Sequence, residues 1–227
     1  MVQVTHNDIS SKFSTHQSRK EKEMKKTSLF LIVSILFYLL LAGCTHNMVV
    51  NSNFVASNQD QFRSEKLSRE KACLVVSPEL KNYIFEKKAY NWAGGSMFKD
   101  TLYFDLGKTI SMEIYNLVST MFRETFKVSD VKDATGKNAV IIKPEIVDCT
   151  LDLPIVRGGT IKAETQLKYS FYNSEGKQII SQTVIGIGKK SLVLTKENYN
   201  IAFREAIKDL MNKSKDIIEK ACMHKDE

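Results

Sequence analysis

The chain has 227 residues, 43% of them hydrophobic and 26% charged, with three prolines and ten glycines; this is the composition of a folded protein with room for one ordinary domain plus extra segments. Its formal charge is +7, but residues 1–43 hold six Lys/Arg against three Asp/Glu. The remainder therefore carries only +4, too thin a surplus for the basic stripe of a nucleic-acid binder. The histidines are His6, His16, His46 and His224, so Lys71 to Ala221 has none, which excludes His-based triads there and argues against a transition-metal site. No catalytic residue, metal or cofactor is expected.

Residues 1–23 are polar and without apolar period, and read as upstream sequence or an extended n-region. Met24-Lys25-Lys26 then opens a positive stretch, followed by Leu29 to Ala42, 14 almost wholly apolar residues, and Gly43-Cys44. A positive start, a short apolar core and small residues at the cut describe a secretory signal peptide over 24–43. At ~1.5 Å per residue the apolar run reaches only ~21 Å, short of a ~30 Å hydrocarbon core, so a spanning helix is the poorer reading. Leu41-Ala42-Gly43-Cys44 resembles the lipobox of bacterial lipoproteins. The resemblance implies diacylation of the Cys44 thiol, cleavage between Gly43 and Cys44, and acylation of the new N-terminus. Thr45, where inner-membrane retention commonly uses aspartate, implies the outer membrane.

Residues 44–70, rich in Asn, Ser, Gln and charge, read as a flexible tether; ~25 residues of random coil span about 25–30 Å. The domain is expected over 71–224. Ala72 to Ser77, closed by Pro78, reads as a buried strand. Asp105 is positioned to cap a helix to about Phe126, with Leu106, Ile110, Ile114, Leu117, Val118 and Met121 at helical spacing. Asp130 to Asn138 is a turn region. Val140 to Leu153 is a long strand whose inward register changes, with a bulge expected near Pro144. Thr160 to Tyr172 alternates strictly, Asn173-Ser174-Glu175-Gly176 turns the chain, and Lys177 to Ile187 returns. A final helix starts at Thr195 or Asn198 and carries an apolar stripe from Tyr199 to Ala221. The order β-α-β-β-β-α makes an α+β two-layer domain, a mostly antiparallel sheet with two helices on one face.

Behind a lipobox, this order resembles the small periplasmic α/β domains of Gram-negative lipoproteins, including YajG-like proteins and, more distantly, the lipoprotein activators of peptidoglycan synthases and curli-export lipoproteins. The residues that carry the resemblance are Asp105-Leu106-Gly107, the hairpin from Leu167 to Lys177, and Val184-Ile185-Gly186. It implies a fold; no functional residue is carried over.

Three features invite functional readings. Gly186-Ile187-Gly188-Lys189-Lys190-Ser191 lacks the spacing of a phosphate loop and is expected to be a strand end. Residues 81–104 hold seven of the 17 aromatics that follow Gly43, interleaved with lysines. They form either a partner contact surface, with Tyr90, Trp92 and Phe98 foremost, or an extra hairpin packing its rings on the sheet. Three cysteines remain after Cys44. Cys149 shares a strand face with Val147 and Leu151 and reads as core. Strand direction places Cys73 and Cys222 at one end of the domain, so a Cys73–Cys222 disulfide is expected, worth roughly 5 kcal/mol in the chain-entropy model. Together these features suggest a non-enzymatic, lipid-anchored binding or adaptor domain facing the periplasm, with another envelope protein as partner and no nucleic acid. The alternative is a lipid- or ligand-carrying module.

Overall fold

The computed structural model of the chain describes residues 32–34, 45–48, 50, 70–91, 98–153, 159–191 and 196–223. The chain divides into two units. The smaller comprises Met1–Cys44 and Tyr90–Asp100; its described residues are one helical turn at 32–34 and the outer ends of two strands. The larger, Thr45–Ala89 with Thr101–Glu227, holds the remaining elements.

In chain order these are β1 (Thr45–Met48), β2 (Lys71–Val75), α1 (Pro78–Lys81), β3 (Ile84–Asn91), β4 (Phe98–Asp105), α2 (Leu106–Met121), β5 (Glu124–Val128), β6 (Val140–Asp152), β7 (Thr160–Tyr172), β8 (Gln178–Ser191) and α3 (Lys196–Met223), with a single 3-10 turn at Lys132–Ala134. The fold is α+β. A five-stranded sheet runs β5-β2-β6-β7-β8, and a three-stranded sheet runs β1-β4-β3.

The alternation in β7 is realised: Ile161, Ala163, Thr165, Leu167, Tyr169 and Phe171 are all buried on the side covered by α3, and Ser170 is also buried, on the other face. β6 and β7 pair antiparallel, as do β7 and β8, whereas β2 lies parallel to both β5 and β6. The sheet is therefore mixed, and β5 stands where the end of a helix was expected. The helix stops at Met121, where the Phe122 amide still donates to the Val118 carbonyl. Thr125 and Val128 then take up strand geometry beside β2, as β-branched residues favour. The bulge in β6 falls at Ile146/Asp148, two residues beyond Pro144, and turns Val147 outward.

The back of the sheet has its own small cluster: Cys73, Val75 and Ile141 lie under Ala134 and Ala139, which come from the β5–β6 connection. This contradicts the expected Cys73–Cys222 disulfide. None of Cys73, Cys149 and Cys222 is joined in a disulfide. Cys73 belongs to the back cluster, while Cys222 packs against the helix-side core. Strand direction put them at one end, but the two-residue period of the strand puts them on opposite faces of the sheet. Cys149 is buried in the helix-side core, as expected.

The tether reading also needs correction at its start. Thr45–Met48 pairs in parallel with Thr101–Phe104, and Val50 is fully buried, its carbonyl accepting a 2.6 Å hydrogen bond from the Thr109 hydroxyl. A strand forms here because β4 otherwise leaves an edge unpaired. Residues 51–69 lie outside the described residues.

Candidate functional site

Among the described residues, a concavity lies where α1 meets the bulged part of β6. Its position follows from local sequence. Ser77 precedes Pro78, and its hydroxyl accepts from the Leu80 amide at 3.3 Å, so α1 is a capped single turn. Gly107, at the start of α2, lets that turn sit against the helix. A Cβ there would collide with the Leu80 carbonyl oxygen, and the Gly107 amide donates to the Tyr83 carbonyl at 2.9 Å. The result is a groove of about 540 Å³ lined by Ser77, Glu79, Leu80, Tyr83, Lys143, Glu145, Ile146 and Val147.

Its chemistry is that of a mixed surface. Lys143 and Glu145 form a 2.7 Å ion pair, which raises the lysine above its ordinary range. A hydrogen bond with the Ser77 hydroxyl holds the exposed Glu79 carboxyl below its usual value. Burial pushes the Cys149 thiol up to about 11, and the hydroxyl of Tyr83, one of the groove residues, hydrogen-bonds its sulfur. Burial raises Tyr83 as well. Such a thiol stays protonated at neutral pH, and a protonated thiol is a poor nucleophile. Val147, 53% exposed at the bulge, gives the rim an apolar knob.

A second, shallower concavity of about 420 Å³ lies between β8 and α3, with Ile187, Lys189, Glu205 and Asp209 among its walls. Here the Gly186–Gly188 motif finds its purpose. A Cβ at Gly186 would strike the Ala206 carbonyl, and one at Gly188 the Ala202 carbonyl, so the glycines let α3 lie directly on the strand. Periodicity placed the motif on a strand; its close helix contact was not legible.

Of the expected site residues, Gly43, Cys44 and Trp92 lie outside the described residues. Tyr90 is the penultimate residue of β3 and Phe98 opens β4; their side chains lie outside the described ones. Three of the described rings pack as the hairpin alternative has it. Tyr83, Phe85 and Phe104 pack in the helix-side core, with Phe85 edge-on to Phe203 at 5.5 Å and Phe104 at 4.8 Å from it. The groove itself was missed, because Ser77, Lys143 and Val147 are distant in sequence and only the bulge signalled irregularity.

No family model matches the chain, and no curated protein does. Among solved structures it is similar to a Xanthomonas campestris protein of the DUF330 family, with TM-score 0.48 and 7% identity over 79% of this chain and 98% of that one. It is also similar to a minor lipoprotein from Acinetobacter baumannii, with TM-score 0.38 and 10% identity over 68% of this chain and 93% of that one. Among the described residues no helix is long and apolar enough to cross a membrane.

Proposed function

We propose that the chain is an outer-membrane lipoprotein, anchored through acylated Cys44, whose folded part is a non-enzymatic binding or adaptor domain in cell-envelope assembly or maintenance. The observation that carries the anchor is Leu41-Ala42-Gly43-Cys44 closing a 14-residue apolar run behind Lys25-Lys26. Several acyl chains, at ~0.8 kcal/mol per buried CH₂, hold a protein at a bilayer effectively permanently. Replacing Cys44 by Ser removes the thiol that receives the lipid. The variant is expected to stay uncut and to incorporate no labelled palmitate; a Cys44→Ser protein that still labels and matures to the same size refutes the anchor.

The groove favours an adaptor over a lipid carrier. Its walls are half ionic or hydroxylic, whereas a lipid pocket is lined mainly by apolar side chains. The helix-side core is filled by Tyr169, Phe104, Phe171 and Phe203, all fully buried. Val147 and the Lys143–Glu145 pair are the side chains through which a protein partner would be gripped. Val147→Glu should change stability by less than about 0.5 kcal/mol, as exposed substitutions do, while reducing the yield of envelope crosslinks in intact cells. Unchanged crosslinks with an unchanged fold would remove the groove from the interface.

A further inference from the structure

A flexible spacer would let the domain tumble below its anchor. Here β1 begins at Thr45, and the chain is held again at Val50, fully buried in the helix-side core. Consecutive Cα atoms are ~3.8 Å apart and neighbouring strands ~4.8 Å. A lipid on Cys44 is therefore attached one residue from Thr45, and Thr45 lies beside Thr101 of β4. We infer that the lipid holds the end of the larger unit at which Thr45 and Thr101 lie toward the bilayer, fixing which end of that unit faces lipid and which faces away. This rests on the reading that Cys44 is acylated.

Which end that is follows from the packing. β3 climbs along the body: Tyr83 bonds the Cys149 sulfur, and two residues on Phe85 meets Phe203. Phe203 follows Ala202, which lies over Gly188, and Gly188 is level with Ala163 and Leu151 across the sheet. β3 thus runs toward the end of the sheet where β6 finishes and α3 starts. Thr101 is three residues from Phe104 on the hairpin side of β4, further out in that same direction. The β7–β8 turn, where the Asn173 amide donates to the Lys177 carbonyl, is at the opposite end. Roughly 30 Å of strand separates Ala163 from Asn173 at ~3.3 Å per residue. Lys88, exposed on β3, belongs to the lipid end; Glu175, exposed in the turn, belongs to the far end.

The occupant is the bilayer that holds the acyl chains, since chain connectivity leaves no spacer in which anything else could sit between lipid and strand. The test uses the full lipidated protein with fluorophores on Lys88→Cys or Glu175→Cys, in a Cys222→Ser background where Cys73 and Cys149 are buried from the reagent. Each is reconstituted into phosphatidylethanolamine/phosphatidylglycerol vesicles carrying a headgroup quencher. The label at 88 should be quenched several-fold more strongly than the label at 175. Inserting about ten Gly/Ser residues between Cys44 and Thr45, enough for a flexible coil, should erase the difference. Equal quenching at both labels on bound protein overturns the fixed orientation, as does a difference that survives the insertion. Protein that does not associate with vesicles at all overturns the acyl anchor itself, a separate outcome.

Discussion

The residues under the greatest constraint are small ones. Gly188 is where α3 touches β8, and the atom a new Cβ would strike is backbone, which cannot swing aside. Gly188→Ala should therefore destabilise by about 3 kcal/mol or more, the upper range for overpacking. Gly136 makes the contrast: its φ is +77° and nothing lies near its Cβ position, so Gly136→Ala should cost only about 1–2 kcal/mol of left-handed backbone strain. Urea denaturation of both variants checks the ordering. Cys149 sets a pH dependence. In the unfolded chain its thiol ionises near ~8.5, whereas in the folded protein burial holds the proton until about pH 11. The unfolded state thus binds fewer protons above the lower value, and stability falls as pH rises through this window, by roughly 3 kcal/mol in all. Buried Tyr169 and half-buried Tyr83, both raised, continue the fall at higher pH. Comparing urea midpoints at pH 8 and pH 10.5 should show the loss, and Cys149→Ala should make it shallower.

Among the elements, α3 does two jobs for β8. Its buried face covers the core, and Ser214 accepts a 2.9 Å hydrogen bond from buried Tyr169. Its flank closes part of a sheet edge: the Asp209 carboxylate accepts from the Ile187 amide at 2.9 Å, and the Lys213 ammonium donates to the Ile185 carbonyl at 2.9 Å. Exposed ion pairs contribute little to stability, so their value here is in occupying backbone groups that would template another strand. The double variant Asp209→Ala/Lys213→Ala should lose less than about 1 kcal/mol of stability yet aggregate faster on warming, measured by light scattering below the melting transition. Elements of this kind were legible where their period is long. β7 alternates along 13 residues, and α3, 28 residues long, carries an apolar stripe from Tyr199 to Ala221. β5, five residues directly after a helix, offered too short a pattern, and Met121, Phe122 and Phe126 continued the helical spacing past the true end. The alternation showed that β6 must slip, but Pro144 drew the bulge two residues from its place at Ile146/Asp148.

At the scale of the whole molecule, the sequence suggested a domain on a string, and the structure shows the string partly woven in. Polar composition marked Thr45 to Glu70 as spacer, and composition cannot reveal that a neighbouring edge strand will accept four of its residues. The disulfide failed for a related reason: chain direction predicts ends, while face is decided by a single-residue change of register. If the N-terminal segment is part of the fold, the bond that pins it should matter to the whole. Thr109→Val leaves the Val50 carbonyl buried without its partner and should cost about 1–3 kcal/mol, read as a lower melting temperature for the entire domain. A change confined to local hydrogen exchange near β1 would show that the segment is an appendage. The central claim is a lipid on Cys44 joined without spacer to a folded domain, and it is met most directly by intact mass spectrometry of the protein extracted from its own membranes. The account predicts a mature chain beginning at Cys44, heavier than its polypeptide by a diacylglyceryl group and an amide-linked acyl chain. A chain that begins elsewhere, or that begins at Cys44 with an unmodified thiol, would contradict it.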